Sequence, residues 1–263
     1  MKYLFLIITP IILFAKVHYA KVEPYEDIIL KSAVSAQVIN APIKFEGTNI
    51  KHKVIVHLDD KLDKIKLTSD RESLKLVRNM IDIDRKTLKA LKESLEKQKS
   101  YYDRIANIQT ISITQKDKAF YSYISAKTQY LSTKEKIESL KKQELDLKYD
   151  IERLKDTIAK KSITLKNKFL YALLVHKGDF VNMGTPIAQV KDLTKAKLTL
   201  FLEDDELNNI KNKKIYINDK ETNYKIDKIW SVADSKFISS YKAQIIIPAN
   251  KYQFSKLLKV ELK

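Results

Sequence analysis

The sequence predicts an α+β protein in which a long antiparallel helical hairpin, a coiled coil, interrupts a small β domain and is followed by a small β-barrel. Three observations carry that prediction. Residues 48–177 contain neither glycine nor proline, in a chain with only three glycines and five prolines, and the absence of both breakers favours long helix. Two apolar seams with three-four spacing run through that stretch. On either side of the seams the period changes to short β-branched runs.

The amino terminus comes first. Met1-Lys2, a mainly apolar run over residues 3–15 and then Lys16 have the order of a secretory signal. An apolar run of that length falls short of the roughly 20 residues needed to cross a bilayer. Residues 1–20 are therefore read as a signal peptide ending at Ala20, with Ala15 as a second cleavage point and retention as an anchor as the other reading. Cysteine is absent, which excludes disulfides, thiolate metal sites and lipid on an amino-terminal cysteine. The formal charge of +17 suits anionic lipid or acidic partners. The lysines are spread among acidic residues without a compact nucleic-acid motif, so nucleic acid is not expected as a partner.

Residues 21–62 hold the first β segment, with Ile28-Ile29-Leu30 and Val54-Ile55-Val56 as strands. Residues 63–162 form the hairpin. The first seam is Leu74, Val77, Ile81, Asp84, Leu88, Leu91, Leu95, Gln98, Tyr102 and Ile105. The second is Ala119, Tyr123, Ala126, Tyr130, Thr133, Ile137, Leu140, Glu144, Leu147, Ile151, Leu154 and Ile158. Lysine, glutamate and aspartate fill the positions between, so each helix has one stripe to bury and the other helix is the nearest partner. The polar, β-branched stretch from Asn107 to Thr114 separates them, and the second helix is expected to begin near Thr114 or Gln115. A first helix of roughly forty residues spans about 55–60 Å, more than a globular domain of this mass requires.

Residues 163–193 carry the second β segment, and residues 194–263 supply further strand-like runs with turn-like Asn218-Asp219 between two of them, read as the barrel. Asp204 to Ile210 reads as one short helix.

The segment Lys177-Gly178-Asp179-Phe180-Val181-Asn182-Met183-Gly184-Thr185-Pro186-Ile187-Ala188-Gln189-Val190 resembles the closing half of the lipoyl-like domain of HlyD-type membrane fusion proteins. Gly178 and Gly184 are read as turns where a side chain would obstruct the backbone, and Val181, Ile187 and Val190 as core. A weaker copy, Glu46-Gly47-Thr48-Asn49-Ile50-Lys51-His52-Lys53-Val54-Ile55-Val56-His57-Leu58-Asp59, is one residue shorter and lacks the second glycine. One glycine motif is weak evidence. Two half-motifs around a heptad hairpin, followed by a barrel, form a specific order.

The resemblance implies a periplasmic adaptor, associated with the inner membrane and assembled from several copies. Such an adaptor joins an inner-membrane transporter of RND or ABC type to an outer-membrane channel of TolC type. It implies that Arg104, Ile105, Ile108 and Ser112 at the hairpin tip dock the channel. Ser112 follows Ile108 sooner than the family spacing, which leaves Thr114 as the alternative hydroxyl. It also implies a short form, since many members continue into a membrane-proximal domain. The reading from another class is an exported coiled-coil structural or adhesive protein without a transporter.

Neither enzyme activity nor a cofactor is expected. The hairpin occupies the place of the carrier lysine that would hold lipoate or biotin. The histidines, His18, His52, His57 and His176, form no helical i, i+4 pair, and methionine occurs only at positions 1, 80 and 183, so no metal site is predicted. Asp59-Asp60 and Asp204-Asp205 read as a turn and a helix start, and neither a nucleophile elbow nor a phosphate loop is present. Asp84, Gln98 and Glu144 read as polar seam positions that set register.

Overall fold

The computed structural model describes residues 16–234, 237 and 239–263; the apolar part of the expected signal peptide lies outside them. The chain divides into two units. One combines Ala33–Gln37 with His57–Ser162, and the other combines Val38–Val56 and Ile163–Lys263 with the residues up to Ser32.

The helical unit contains α1 (Lys61–Ala106) and α2 (Ile113–Lys160), of 46 and 48 residues, each about 70 Å long at 1.5 Å per residue. The first helix is longer than its seam suggested. Its extension passes through Asp70, one heptad before Val77, which is buried although it is a carboxylate. Val77, Ile81 and Leu140 form a small core with Leu147 packed against it. Two ion pairs tie the helices antiparallel. Lys136 Nζ donates to Asp84 Oδ1 at 3.1 Å, and Arg78 Nε donates to Glu144 Oε1 at 3.0 Å. The polar breaks at Asp84 and Glu144 thus face cations from the opposite helix. At the open end, Lys161 pairs with Asp63, and Leu58 N–H donates to Lys161 O at 2.8 Å.

The β unit is a mostly antiparallel sheet. Before the hairpin come β1 (Val17–Lys31), β2 (Ala36–Asn40) and β3 (Thr48–Leu58). After it come β4 (Ser162–Leu173), β5 (Phe180–Val181) and β6 (Pro186–Glu203). The last segment adds β7 (Ile215–Ile217), β8 (Lys220–Thr222), β9 (Ile226–Ala233), β10 (Ser240–Pro248) and β11 (Leu257–Leu262). The order β5-β2-β3-β4-β6-β1-β11-β7-β8, with β10 and β9 branching from β6, interleaves strands from both sides of the insertion. The two lipoyl-like halves therefore fold as one. Val190 shows the junction, pairing with Leu170 of β4 on one side and Ile28 of β1 on the other.

Strand β6 carries on without a break from the lipoyl-like part into the last segment. There Val22, Leu198, Leu200, Leu202, Ile215, Ile245, Leu258 and Val260 close a second core. The strand path does not close into a barrel: among the described residues no pairing joins β8 to β9. Strand β8 has only three residues, and Ile226 and Ile229 of β9 cover the core by side-chain packing instead. The helix expected at Asp204 to Ile210 is two 3₁₀ turns, Asp204–Leu207 and Ile210–Asn212, separated by Asn209 at φ 55°.

Strand β1 changes the reading of the amino terminus. Ala20 is buried in the second core and Val17 to Lys21 pair with β11. Lys16 Nζ donates to Glu203 at 2.7 Å, and His18 Nε2 lies 2.7 Å from Glu206 Oε1. Cleavage at Ala20 would remove the Lys16 and His18 contacts and the first four of the strand's fifteen residues.

Candidate functional site

The tip of the hairpin is the six-residue connection between α1 and α2 together with the helix ends beside it, and each expected docking residue has a defined place there. Arg104 stands in the last turn of α1, exposed, where a cation opposes the partial negative charge of the helix end. It forms no ion pair among the described residues, although it borders a shallow cleft with Glu93, Glu96 and Lys97. Ile105 is 7% exposed and turned into the hairpin. Ile108 is 42% exposed, its amide donating to Ile105 O at 3.2 Å. Ser112 is the N-cap of α2, and its hydroxyl oxygen accepts from Gln115 N–H at 3.3 Å. Thr114, the alternative hydroxyl, lines a polar groove with Ser94, Gln98 and Asp117. Arg104, Ile108 and Ser112 thus present surface, while Ile105 closes the helices beneath them.

Sequence reasoning missed three neighbours. Ile113 opens α2 at 78% exposure, and Phe120 and Tyr121 are also exposed. Phe120 lies 5.5 Å from Tyr102, which stacks on Tyr123 at 6.1 Å between centroids. Large apolar residues off the seam of an otherwise charged helix were the available signal. Together they give the tip a cationic head beside aliphatic and aromatic surface, an arrangement suited to burial against a partner.

The three motif glycines sit at turns, but not for the reason expected. A side chain at Gly47, Gly178 or Gly184 would meet nothing within 4 Å, so no obstruction excludes it. Their φ angles of 69°, 101° and 86° do the selecting, since L-residues enter that region at a cost. The turns are bonded across the sheet: Gly178 N–H donates to Val38 O and Gly184 N–H to Ser32 O, both at 2.8 Å. Gly47 N–H donates to Leu170 O at 2.9 Å, which joins the weak early motif directly to the segment after the hairpin.

Ionisable groups elsewhere serve the fold. Burial alone would raise the Asp192 carboxyl, but Lys168 Nζ at 2.7 Å and the Thr194 hydroxyl at 2.6 Å hold it at about 2. His57 Nδ1 lies 2.9 Å from Ser162 Oγ, and His176 lies 3.8 Å from Asp179. Among the described residues no group of three or more His, Cys, Asp or Glu side chains is placed to hold a metal ion. No described helix is long and apolar enough to cross a membrane.

No protein-family model matches the chain, and no curated protein matches it in sequence. Solved structures do match. MacA from Actinobacillus actinomycetemcomitans superposes with a TM-score of 0.74 at 15% identity, over 94% of this chain and 78% of that one. A MacA-MexA chimeric protein containing the Pseudomonas aeruginosa MexA α-hairpin domain gives 0.59 at 16% identity, over 95% and 81%. The membrane fusion protein Spr0693 from Streptococcus pneumoniae R6 gives 0.51 at 9% identity, over 95% and 99%. The chain has the membrane fusion protein fold, with its helical hairpin set in a split lipoyl-like domain.

Proposed function

We propose that this protein is a periplasmic adaptor, associated with the inner membrane, that links an inner-membrane transporter of RND or ABC type to an outer-membrane channel of TolC type for efflux or secretion. The observation that carries the reading is the hairpin itself. Two helices of 46 and 48 residues are set into a split lipoyl-like fold, and they end in a tip where Arg104, Ile108 and Ile113 face solvent. The pair buries only a narrow seam along its length, from Asp70 to Ile105 on α1 and Ala119 to Ile151 on α2, and about 70 Å of helix gives it reach. The fold it shares with the membrane fusion protein Spr0693 supports the same reading. The half-buried seam residues Leu88, Leu91 and Leu95 leave apolar surface that neighbouring copies in a homo-oligomer would cover. The work is mechanical connection, without catalysis or a cofactor.

At the tip, the Arg104 guanidinium would offer a planar, multidentate donor to carboxylate or backbone oxygens, with Ile108 as the apolar contact. Crosslinking in the intact envelope from a photoreactive residue at position 108 tests this, with Arg104→Asp as the perturbation. The expected result is an adduct with an outer-membrane channel that Arg104→Asp abolishes while helix content stays unchanged. Full export activity and an unchanged adduct in Arg104→Asp would remove the tip assignment. Absence of any adduct with a channel or a transporter would remove the adaptor reading.

A further inference from the structure

We infer that the β unit carries a binding cleft for a small amphipathic anion, a carboxylate or phosphate on an apolar body, where β1, β4 and β6 meet the loop before β11. The register of β1 on β6 shifts between Pro24 and Glu26, and such a bulge opens the sheet surface and re-aims side chains. Beside it lies a cleft of about 430 Å³, within the range that holds small organic ligands. Its walls include Phe169, Tyr171 and Phe254. The loop carrying Phe254 is fixed by two backbone bonds to Val22, from Ser255 N–H at 2.8 Å and to Lys256 O at 2.9 Å. The aromatic wall is therefore held in place before any ligand arrives.

The charge of the occupant follows from which groups are already engaged. Three lysines and two carboxylates line the cleft. Asp27 accepts from Gln189 Nε2 at 2.9 Å and lies 3.5 Å from Lys191 Nζ, which itself sits 4.0 Å over the Tyr171 ring. Glu23 accepts from the Thr199 hydroxyl at 3.2 Å. Asp27 is thus held by a cation, while Glu23 has only a neutral partner, so two unpaired ammonium groups face one unpaired carboxylate and the lining is net positive. The side chains of Lys21 and Lys197 have no ion pair or hydrogen bond among the described residues. Two unengaged ammonium groups in a cleft with an aromatic wall select an anion with an apolar body, because charge-assisted bonds and ring contact are then satisfied together.

Calorimetry on the full chain decides the matter, with decanoate below its micellar range as the probe and decyltrimethylammonium as the reversed-charge control. Decanoate is expected to bind with one site per chain and the ammonium not to bind. Lys21→Gln/Lys197→Gln, which alters no core side chain, is expected to weaken decanoate about tenfold or more, and Lys228→Gln/Lys251→Gln on the same unit to leave it unchanged. Vesicles of phosphatidylglycerol separate the sources. Vesicle binding with the same dependence on Lys21 and Lys197 assigns a lipid as the occupant, and decanoate binding without it assigns a free amphiphile. Wild-type affinity in the Lys21/Lys197 variant, an equal loss in the Lys228/Lys251 variant, or equal binding of the cation overturns the inference. None of these outcomes depends on the adaptor reading, which crosslinking at the tip tests separately.

Discussion

Replacing Asp70 with leucine should make the hairpin more stable. Asp70 occupies a seam position of α1 and is 3% exposed. One carboxylate oxygen is held by Lys66, one turn earlier on the same helix, and the other, Oδ2, has no hydrogen-bond partner among the described residues. The side chain of Lys66 is 62% exposed, so water screens that pair and its loss costs about 0.3–0.5 kcal/mol. Removing an unsatisfied buried acceptor recovers about 1–3 kcal/mol. Burying a leucine in its place adds about 1.5–3 kcal/mol, less about 1–3 kcal/mol if the larger side chain strains the packing. The net is a gain of about 2 kcal/mol, which with a urea dependence of about 2 kcal/mol per molar moves the midpoint up by about 1 M. Helical circular dichroism during urea unfolding reads the hairpin directly. Asp84→Leu serves as the comparison and should gain less, because Asp84 takes an interhelical bond from Lys136 that the substitution removes. A midpoint lowered by Asp70→Leu would refute the reasoning and show that this carboxylate is satisfied in solution.

Other consequences can be measured on the same material. Ile81→Asp places a charge in the core of Val77, Ile81 and Leu140 and should destabilise the hairpin by about 3 kcal/mol or more, on the order of a buried unpaired charge, whereas Arg104→Asp should cost no more than about 1 kcal/mol, the scale of a charge at a helix end. Gly178→Ala forces an L-residue to a φ of 101° and should cost about 1–2 kcal/mol in thermal unfolding of the β unit. The lowered pKa of Asp192, about 2, means that the folded state binds its proton later than the unfolded chain. Its stabilisation is complete above about pH 4 and is lost as the pH falls towards 2, by about 2 kcal/mol. Asp192→Asn should flatten that acid limb, and an unchanged limb would assign the acid sensitivity elsewhere. If the amino-terminal segment is removed, mass spectrometry should place the new terminus at or before Lys16, because a chain starting at Lys21 lacks Ala20 and the Lys16 and His18 contacts with Glu203 and Glu206.

What the sequence disclosed and what it hid divide along the range of the interactions. The seams from Val77 to Ile105 and from Ala119 to Ile151 were readable because helix periodicity is local, and the two glycine motifs because a turn leaves its mark within a few residues. Asp70 was hidden by the same logic. A carboxylate in a seam position looks like the end of the seam, and only the facing helix shows that burial continues past it. Residues 16–22 were hidden more deeply. An apolar run followed by Ala20 satisfies the pattern of an export signal and that of a buried strand equally well. The contacts that hold residues 16–18 against the β unit reach across nearly the whole chain, from Lys16 to Glu203 and from His18 to Glu206.

The same distinction governs the two surfaces on which function is argued. The tip was locatable because a hairpin must turn where its seams stop, yet the exposed Ile113 and the Phe120–Tyr121 pair escaped notice because exposure is set by the neighbouring helix. The cleft beside Lys21 and Lys197 left no local trace at all, since its walls come from β1, β4, β6 and the loop before β11. A site assembled from four distant segments has its identity in the sheet order. The interleaving of β4, β6, β1 and β11 is what brings two unpaired lysine side chains and an aromatic wall into one cleft. Splitting the β unit around a hairpin therefore does more than present the tip, because it also sets strands from opposite ends of the chain side by side and creates binding surface that neither half contains.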